Sequence, residues 1–576
     1  MFANEQKKKH RAVCRKQFFV SFNISLTFTC PSFYSFGAST NFTFMKNLCL
    51  FLAALLLLTA CGEPNEENTA PENTARFEQL DYDESLAPFY YGVASGDPGT
   101  ESVIIWTKVL PDTEASSQEV MWEVATDSSF SQVVSSGQAV ADSSAYYTVN
   151  VAVDGLQPDQ YYFYRFTAGD RTSLTGRTKT APEGDTDQLK FAVVSCNNYE
   201  GGFFTAFRKI AERDDLDAVL HLGDYIYEYG PGVYGDSTTG RFHEPAREIV
   251  SLQDYNTRYA QYRLDKDLMR MHQMHPVITI WDDHEIANNA YKTGAQNHQP
   301  EEGDYLDRKN VAVKTYFEWM PIRRQENGEL YRAFHFGDMA DLFMLDERLA
   351  GRDAQLDSIG DPAYQSDERS LLGDEQFNWL AKQMNSSDAK WKILGNQVIY
   401  SPLNTSIVYN SPVNLDAWDG YPAAQQRLAQ LIQNKSMDNV IILSGDTHTS
   451  WAFETTLRPM EASAYGDATA SGAFAVEFGT PSISSGNIDE HIPTDSATKI
   501  AAKLMDPTYN PHLKFVDLSE HGYLLLSLSA GEAIAEWYYM ETIAEPSSAE
   551  YLGKRLRVAA GQQQLKEGED EMASAR

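Results

Sequence analysis

The stretch LKFAVVSCNN, residues 189–198, runs through apolar and β-branched residues into Ser195, Cys196, Asn197 and Asn198. Three further runs have the same layout. AVLHLGDY (218–225) ends in Asp224 with Tyr227 close behind, and PVITIWDDHE (276–285) ends in Asp282, Asp283, His284 and Glu285. NVIILSGDTHTSW (439–451) carries Asp446 and His448. A β-branched run followed by a helical stretch reads as a parallel strand buried on both faces. The carboxyl ends of such strands line one edge of a sheet, where α/β proteins place their ligands. Four ends bearing Cys, Asp, Tyr and His are therefore expected to converge on a metal site, and on a multinuclear one.

The surroundings of these runs keep an α/β rhythm. FFTAFRKIAER follows the first, LQDYNTRYAQYRLDKDLMRMHQMH precedes the third, and LGDEQFNWLAKQM and YPAAQQRLAQLI come later, all with helical spacing. FAVEFG, GYLLLSLS and AIAEWYYM read as added strands, which sets a large domain over 189–545. Residues 546–576 have few apolar positions and read as a loose tail. Ahead of the large domain, SVIIWTKVL, EVMWEVATD, AYYTVNVAVDGL and QYYFYRFTA alternate with period two between turn residues. That pattern predicts an antiparallel β-sandwich of fibronectin or immunoglobulin type over 88–182, bracing its neighbour.

The chain of 576 residues, 42% hydrophobic with a net charge of −34, is an ordinary folded protein, long enough for more than one domain. Its first 60 residues are basic, so the acidity belongs to the remainder. Such a surface argues against nucleic-acid binding, which needs a basic stripe. Anionic substrates would have to be drawn in by bound cations.

Four of the five cysteines fall within the first 61 residues. Met45 opens MKNLCLFLAALLLLTAC, one basic residue and an apolar core shorter than a spanning helix, which is the layout of a secretory signal over 45–60. Leu58-Thr59-Ala60-Cys61 resembles a bacterial lipobox, with Cys61 the lipidated residue. Residues 1–44 then read as an upstream extension, and the acidic, apolar-poor segment 61–87 as a solvated tether from a membrane, facing the periplasm or cell exterior. Cys196 would be the one thiol left in the body of the protein. A free cysteine often packs as a small hydrophobe, but its place in a polar turn at the functional edge favours a ligand role.

The order Cys, Asp, Asp-His, Asp-x-His resembles the calcineurin-like metallophosphatases, in which ligands come from successive strand ends. Gly223-Asp224-Tyr225-Ile226-Tyr227, Asp282-Asp283-His284-Glu285 and Gly445-Asp446-Thr447-His448 match that pattern. More closely, SCNNYEGG, LHLGDYIYEYG, WDDHE, LSGDTHTSW, WDGYPAA and NPHLKFVD resemble PhoD-type alkaline phosphatases and related phospholipase D-like enzymes, from about Phe89 to about Glu541. The resemblance implies an αββα metallophosphatase sandwich behind the β-sandwich, and a phosphoric ester hydrolase acting on small phosphate esters. It also implies one ferric iron and two calcium ions. Ser195-Cys196-Asn197 stands where the wider superfamily has Asp-x-His, and Asp283 where it has Asn. A thiolate and a phenolate suit ferric iron, whereas Asp224, Asp283 and Asp446 suit a hard cation. The metal ligands are then Cys196, Asp224, Tyr227, Asp283, Asp446 and His448, with Asp224 bridging iron and calcium. Cations so held would bind phosphoryl oxygens and activate a water oxygen that attacks phosphorus in line. Beside Asp224, His284 is the second catalytic candidate, orienting phosphate or protonating the leaving group, or else a hydrogen-bond partner of the ligands. Arg348 and Arg352 could grip phosphate or pair with Asp346 and Asp353. A phosphodiesterase on the same metals is the near rival, and a non-catalytic surface lipoprotein the distant one.

Overall fold

The structure is a computed structural model that describes residues 76–568 apart from 112–115, 326, 409–410 and 548. The extension 1–44, the signal 45–60, Cys61 and tether residues 62–75 lie outside the described residues. Among the described residues no helix is long and apolar enough to cross a membrane.

The fold is α/β and rests on two mixed sheets. In the ten-stranded sheet the strands Gln188–Val194, Ala218–His221, Pro276–Thr279 and Val93–Gly96 run parallel as neighbours. In the seven-stranded sheet Ala340–Met344, Trp391–Gly395, Val440–Ser444 and Ala475–Gly479 do the same. The period of two along a strand sorts side chains between cores. Leu342, Ile393, Ile441, Leu443 and Phe478 join the core shared with the larger sheet, while Phe343, Leu394, Val440 and Ile442 join a second core with helix residues Leu380, Met384, Leu428 and Ile432. Phe191 meets Phe336 across the inter-sheet core with ring centroids 4.9 Å apart. Trp391 and Trp537 each donate an indole N–H across it, to the carbonyls of Ser529 (2.8 Å) and Gly479 (2.9 Å).

The helices form where sequence signals place them. The stretch 252–275 is two helices, Leu252–Arg263 and Lys266–Met274, because Asp265 caps the second through the amides of Asp267 and Leu268. Ser251 and Asp254 close a capping box on the first. Pro422 opens Pro422–Asn434, the position a helix tolerates best.

Three expectations need correction. The segment 546–576 is not a loose tail throughout: Glu550–Ala559 pairs antiparallel with Glu532–Met540, burying Leu556 and Val558. Alternate positions of that strand supply its apolar face, a pattern that low overall hydrophobicity conceals. The tether ends earlier than residue 87, since Phe77 and Leu80 are buried in the main core and the Tyr82 hydroxyl lies 3.0 Å from that of Tyr91. Finally, the boundary drawn between 182 and 189 is crossed by main-chain pairing. Val93–Gly96, Ser102–Lys108 and Thr148–Asp154 extend the ten-stranded sheet, and a separate antiparallel sheet packs on them through Val103, Ile105, Val120, Val124, Tyr164 and Phe166.

Candidate metal centre

Three of the four motif strands end in the ten-stranded sheet, but Val440–Ser444, which leads to Asp446 and His448, belongs to the other sheet. The single edge read from sequence is thus two edges meeting across the inter-sheet core. They are stitched there by a parallel bridge between Ser195 and Ser482, and by the Thr480 hydroxyl donating to the Val193 carbonyl at 2.9 Å.

Ligand-type atoms gather in three overlapping groups, each within 4.8 Å: Cys196, Asp224 and His448; Asp224, Asp283 and His284; Asp282, Asp283 and Asp446. Asp224 and Asp283 each belong to two groups. Tyr227 completes the first, its hydroxyl 3.0 Å from Asp224 Oδ2 and 3.2 Å from His448 Nε2. All six residues expected as ligands, and His284, therefore stand together. Asp282 joins them, a residue of the quoted motif to which sequence reading gave no ligand role.

The backbone at these positions is unusual. Cys196, Asp224, Asp446 and His448 all take left-handed φ, between +56° and +64°. L-residues adopt that region at a cost, and such residues cluster at functional sites. Tight turns at the strand ends aim the side chains back into one cavity. The Cys196 amide donates to the Gly223 carbonyl and the Asn197 amide to that of Asp224, locking the first two turns together. Glu285 clamps the next pair: its carboxylate accepts from the amides of Asp224, Tyr225 and Asp282 at 3.1, 2.6 and 2.8 Å.

The electrostatics call for cations. Burial pushes the Asp224 and Asp446 carboxyls well above the usual range and Asp282 up to about 6, with neighbouring carboxylates adding to the effect. Burial likewise raises the Cys196 thiol and the Tyr227 phenol. Arg348, fully buried, lies 3.0 Å from Asp416 and Asp446 and 3.6 Å from Asp283, and it also pairs with Asp282. Arg352 pairs with Asp416 at 2.6 Å. Arg348 is thus committed to acids of the centre, and Arg352 to Asp416 beside it, rather than to salt bridges with Asp346 or Asp353. Even so, Asp282 Oδ2 and Asp283 Oδ1 are buried without a hydrogen-bond partner. A bare buried carboxylate oxygen is costly. The thiol, phenol, imidazole and carboxylates around these oxygens form a donor set that fits bound cations.

The histidines are held differently. His448 Nδ1 is 2.9 Å from the Gly486 carbonyl, which leaves Nε2 facing Tyr227 and the centre. Burial lowers its pKa to about 4, so the ring is neutral, as a ligand must be. His284 Nδ1 is 2.6 Å from Glu228 Oε2, and the ring packs 4.2 Å from that of Tyr227. Burial opposes charge on His284, but Glu228, Asp283 and Asp224 outweigh it and raise the pKa well above 6.5.

Sequence reading missed the supports. Glu228 directly follows Tyr227, Glu285 closes the third motif and Asp416 precedes the WDGYPAA string, so each was adjacent to a recognised signal. Ser485 had none: its hydroxyl lies 2.6 Å from that of Tyr227 and 2.8 Å from the Cys196 carbonyl, on a loop without a motif.

Comparison with known proteins extends the likeness over most of the chain. A family model described as "PhoD-like phosphatase" matches residues 191–537, and one described as "PhoD-like phosphatase, N-terminal domain" matches 74–182. Alkaline phosphatase D of Bacillus subtilis (strain 168) is 38% identical over 489 residues, 81% of this chain and 80% of that protein. The solved structure described as "Structure of PhoD" aligns with a TM-score of 0.75 at 34% identity, covering 84% of this chain and 93% of its own. With one family model spanning residues 191–537 and a relative 38% identical over 81% of its length, the chain belongs to the PhoD-like phosphatase family.

Proposed function

We propose that the protein is a metal-dependent phosphoesterase that hydrolyses small phosphate esters as an alkaline phosphatase of the PhoD type. The observation that carries this reading is the set of three ligand groups sharing Asp224 and Asp283 at the meeting sheet edges. In this reading the two facing sheets and their outer helices are the αββα metallophosphatase sandwich, and the front layers are its fibronectin-like β-sandwich. Cys196, Asp224, Tyr227 and His448 would hold one iron, and Asp224, Asp282, Asp283 and Asp446 two calcium ions. Cations bound there supply Lewis acidity toward the phosphoryl oxygens and toward water.

The residues of the chain divide the remaining work. Asp224, which belongs to two of the three ligand groups, would be shared between the cations held there. Arg348 offsets charge among the carboxylates from beneath. Water's oxygen bonds to phosphorus as the ester P–O bond breaks, and the departing alkoxide takes a proton. His284, fixed by Glu228 and packed against the Tyr227 ring, is placed to hold phosphate or give that proton. Export and lipid attachment through Cys61 rest on the amino-terminal sequence pattern alone.

The test is to assay purified protein on a phosphomonoester and a phosphodiester side by side, with elemental analysis of the same sample. Iron and calcium with turnover of the monoester are expected. Metal-free protein, or protein with its metals and no hydrolysis of either ester, would overturn the reading.

A further inference from the structure

His221 closes the strand Ala218–His221 and Asn197 follows Cys196; both side chains are fully buried. The His221 ring accepts at Nδ1 from the Gly223 amide at 3.3 Å, so its hydrogen sits on Nε2, which donates to Asn197 Oδ1 at 2.7 Å. Burial lowers the pKa of the ring to about 3, so it is neutral and a single tautomer satisfies both bonds. With Oδ1 accepting, the Asn197 amide is oriented to donate from Nδ2 to the Tyr225 carbonyl, 2.9 Å away. The Tyr225 ring lies 5.2 Å from that of His221 and flanks the string of bonds.

Side chains therefore join the same two turns that the Cys196 and Asn197 amides join through the main chain. Cys196, Asp224 and Tyr227, three of the four donors proposed for the iron, leave from these turns. Both nitrogens of His221 and both polar atoms of Asn197 are engaged within the protein, so neither residue is set to be a ligand itself. Their bonds act where the backbone needs support. Cys196 and Asp224 have φ of +60° and +56°, a conformation that persists only when the surroundings hold it. The ligand atoms of Cys196 and Asp224 also have to stay within 4.8 Å of each other and of His448, which comes from the other sheet.

We propose that His221 and Asn197 are paired positioning residues for the iron, holding the Cys196 sulfur at the separation from Asp224 and Tyr227 that one cation spans. The proposal rests on the metal-dependent phosphoesterase reading. Groups one bond removed from the donors orient them and set the affinity for the ion. Loss of the pair leaves the donors in the chain but frees the two turns to drift apart, which weakens the iron position. The carboxylates Asp282, Asp283 and Asp446 lie on other turns, so the cations they hold are less affected.

Substitutions of graded reach test this in the metal-loaded full-length protein. His221→Gln keeps a donor toward Asn197, whereas His221→Asn is too short to reach it, and Asn197→Leu removes the other half of the pair. Against a competing chelator, iron should be held about 10- to 100-fold more weakly in His221→Asn and Asn197→Leu, and close to the parent level in His221→Gln. Calcium content should stay at the parent level in all three. The visible absorption that thiolate and phenolate give with ferric iron should shift in His221→Asn and not in His221→Gln. Unchanged iron retention and absorption in His221→Asn and Asn197→Leu would overturn the positioning role and leave the phosphoesterase reading standing. Calcium lost in step with iron would do the same, since it marks a general loosening of the fold. If Asn197→Leu does not fold, the comparison of His221→Asn with His221→Gln decides. Parent protein that holds no iron would overturn both the pair's role and the iron assignment beneath it.

Discussion

Asp224 and Asp283 differ from the other acids of the centre in belonging to two ligand groups each, whereas Asp446 belongs to one. Elemental analysis should register that difference. Asp224→Asn is expected to remove cations from two positions and Asp446→Ala from one, both with loss of turnover. Equal stoichiometry in the two variants would refute a shared ligand. His284 makes a separate kinetic prediction. If it donates the proton to the departing alcohol, His284→Gln should lower kcat by about 10²- to 10⁴-fold on an alkyl phosphate. On p-nitrophenyl phosphate, whose leaving group needs no proton, the loss should be far smaller. An equal loss on both would instead assign His284 to holding phosphate.

At the scale of the element, the strand ends matter through their turns. Gly223 has φ +108°, and a methyl group there would run into the Cβ and amide nitrogen of Asp282. Gly223→Ala should therefore push apart the turns that carry Asp224 and Asp282. The expected cost is about 1–3 kcal/mol in unfolding free energy, with weakened metal retention; denaturant unfolding of the metal-loaded protein measures it. Much of the element level was legible. Continuous apolar runs such as VIILS and FAVVS named the strands, and Asp265 could have been read as the break between two helices. What escaped was the strand 550–559. Its partner strand supplies the apolar surface that makes its alternate Leu and Val residues worth burying, and no local window contains that surface.

For the whole molecule, acid stability follows from histidines far from the centre. Burial lowers His275 to about 3 and His512 to about 4, their Nε2 atoms resting 3.0 and 2.7 Å from the carbonyls of Ile210 and Pro402. In the unfolded chain both take up a proton near pH 6.5, while the folded protein holds them neutral. Their contribution to stability is therefore present above pH 6.5 and is lost as pH falls toward 3–4, by up to about 1.4 kcal/mol per pH unit for each. Melting temperature measured between pH 7 and 4 should fall less steeply in His512→Gln than in the parent. Parallel curves would show that His512 does not carry this dependence.

The chemistry of the centre was written in the chain itself. The residue types that end four apolar runs select for cations, because a thiol, a phenol, imidazoles and crowded carboxylates share no cheaper use at buried strand ends. The β-rich front and the α/β rhythm were equally local, being matters of period and punctuation. Tertiary structure alone decided that the fourth run lies in a second sheet, that Glu285 and Ser485 tie turns distant in sequence, and that the front strands continue the main sheet. Those facts depend on which surfaces meet, and hydrogen bonds between segments hundreds of residues apart leave no periodic trace in either segment.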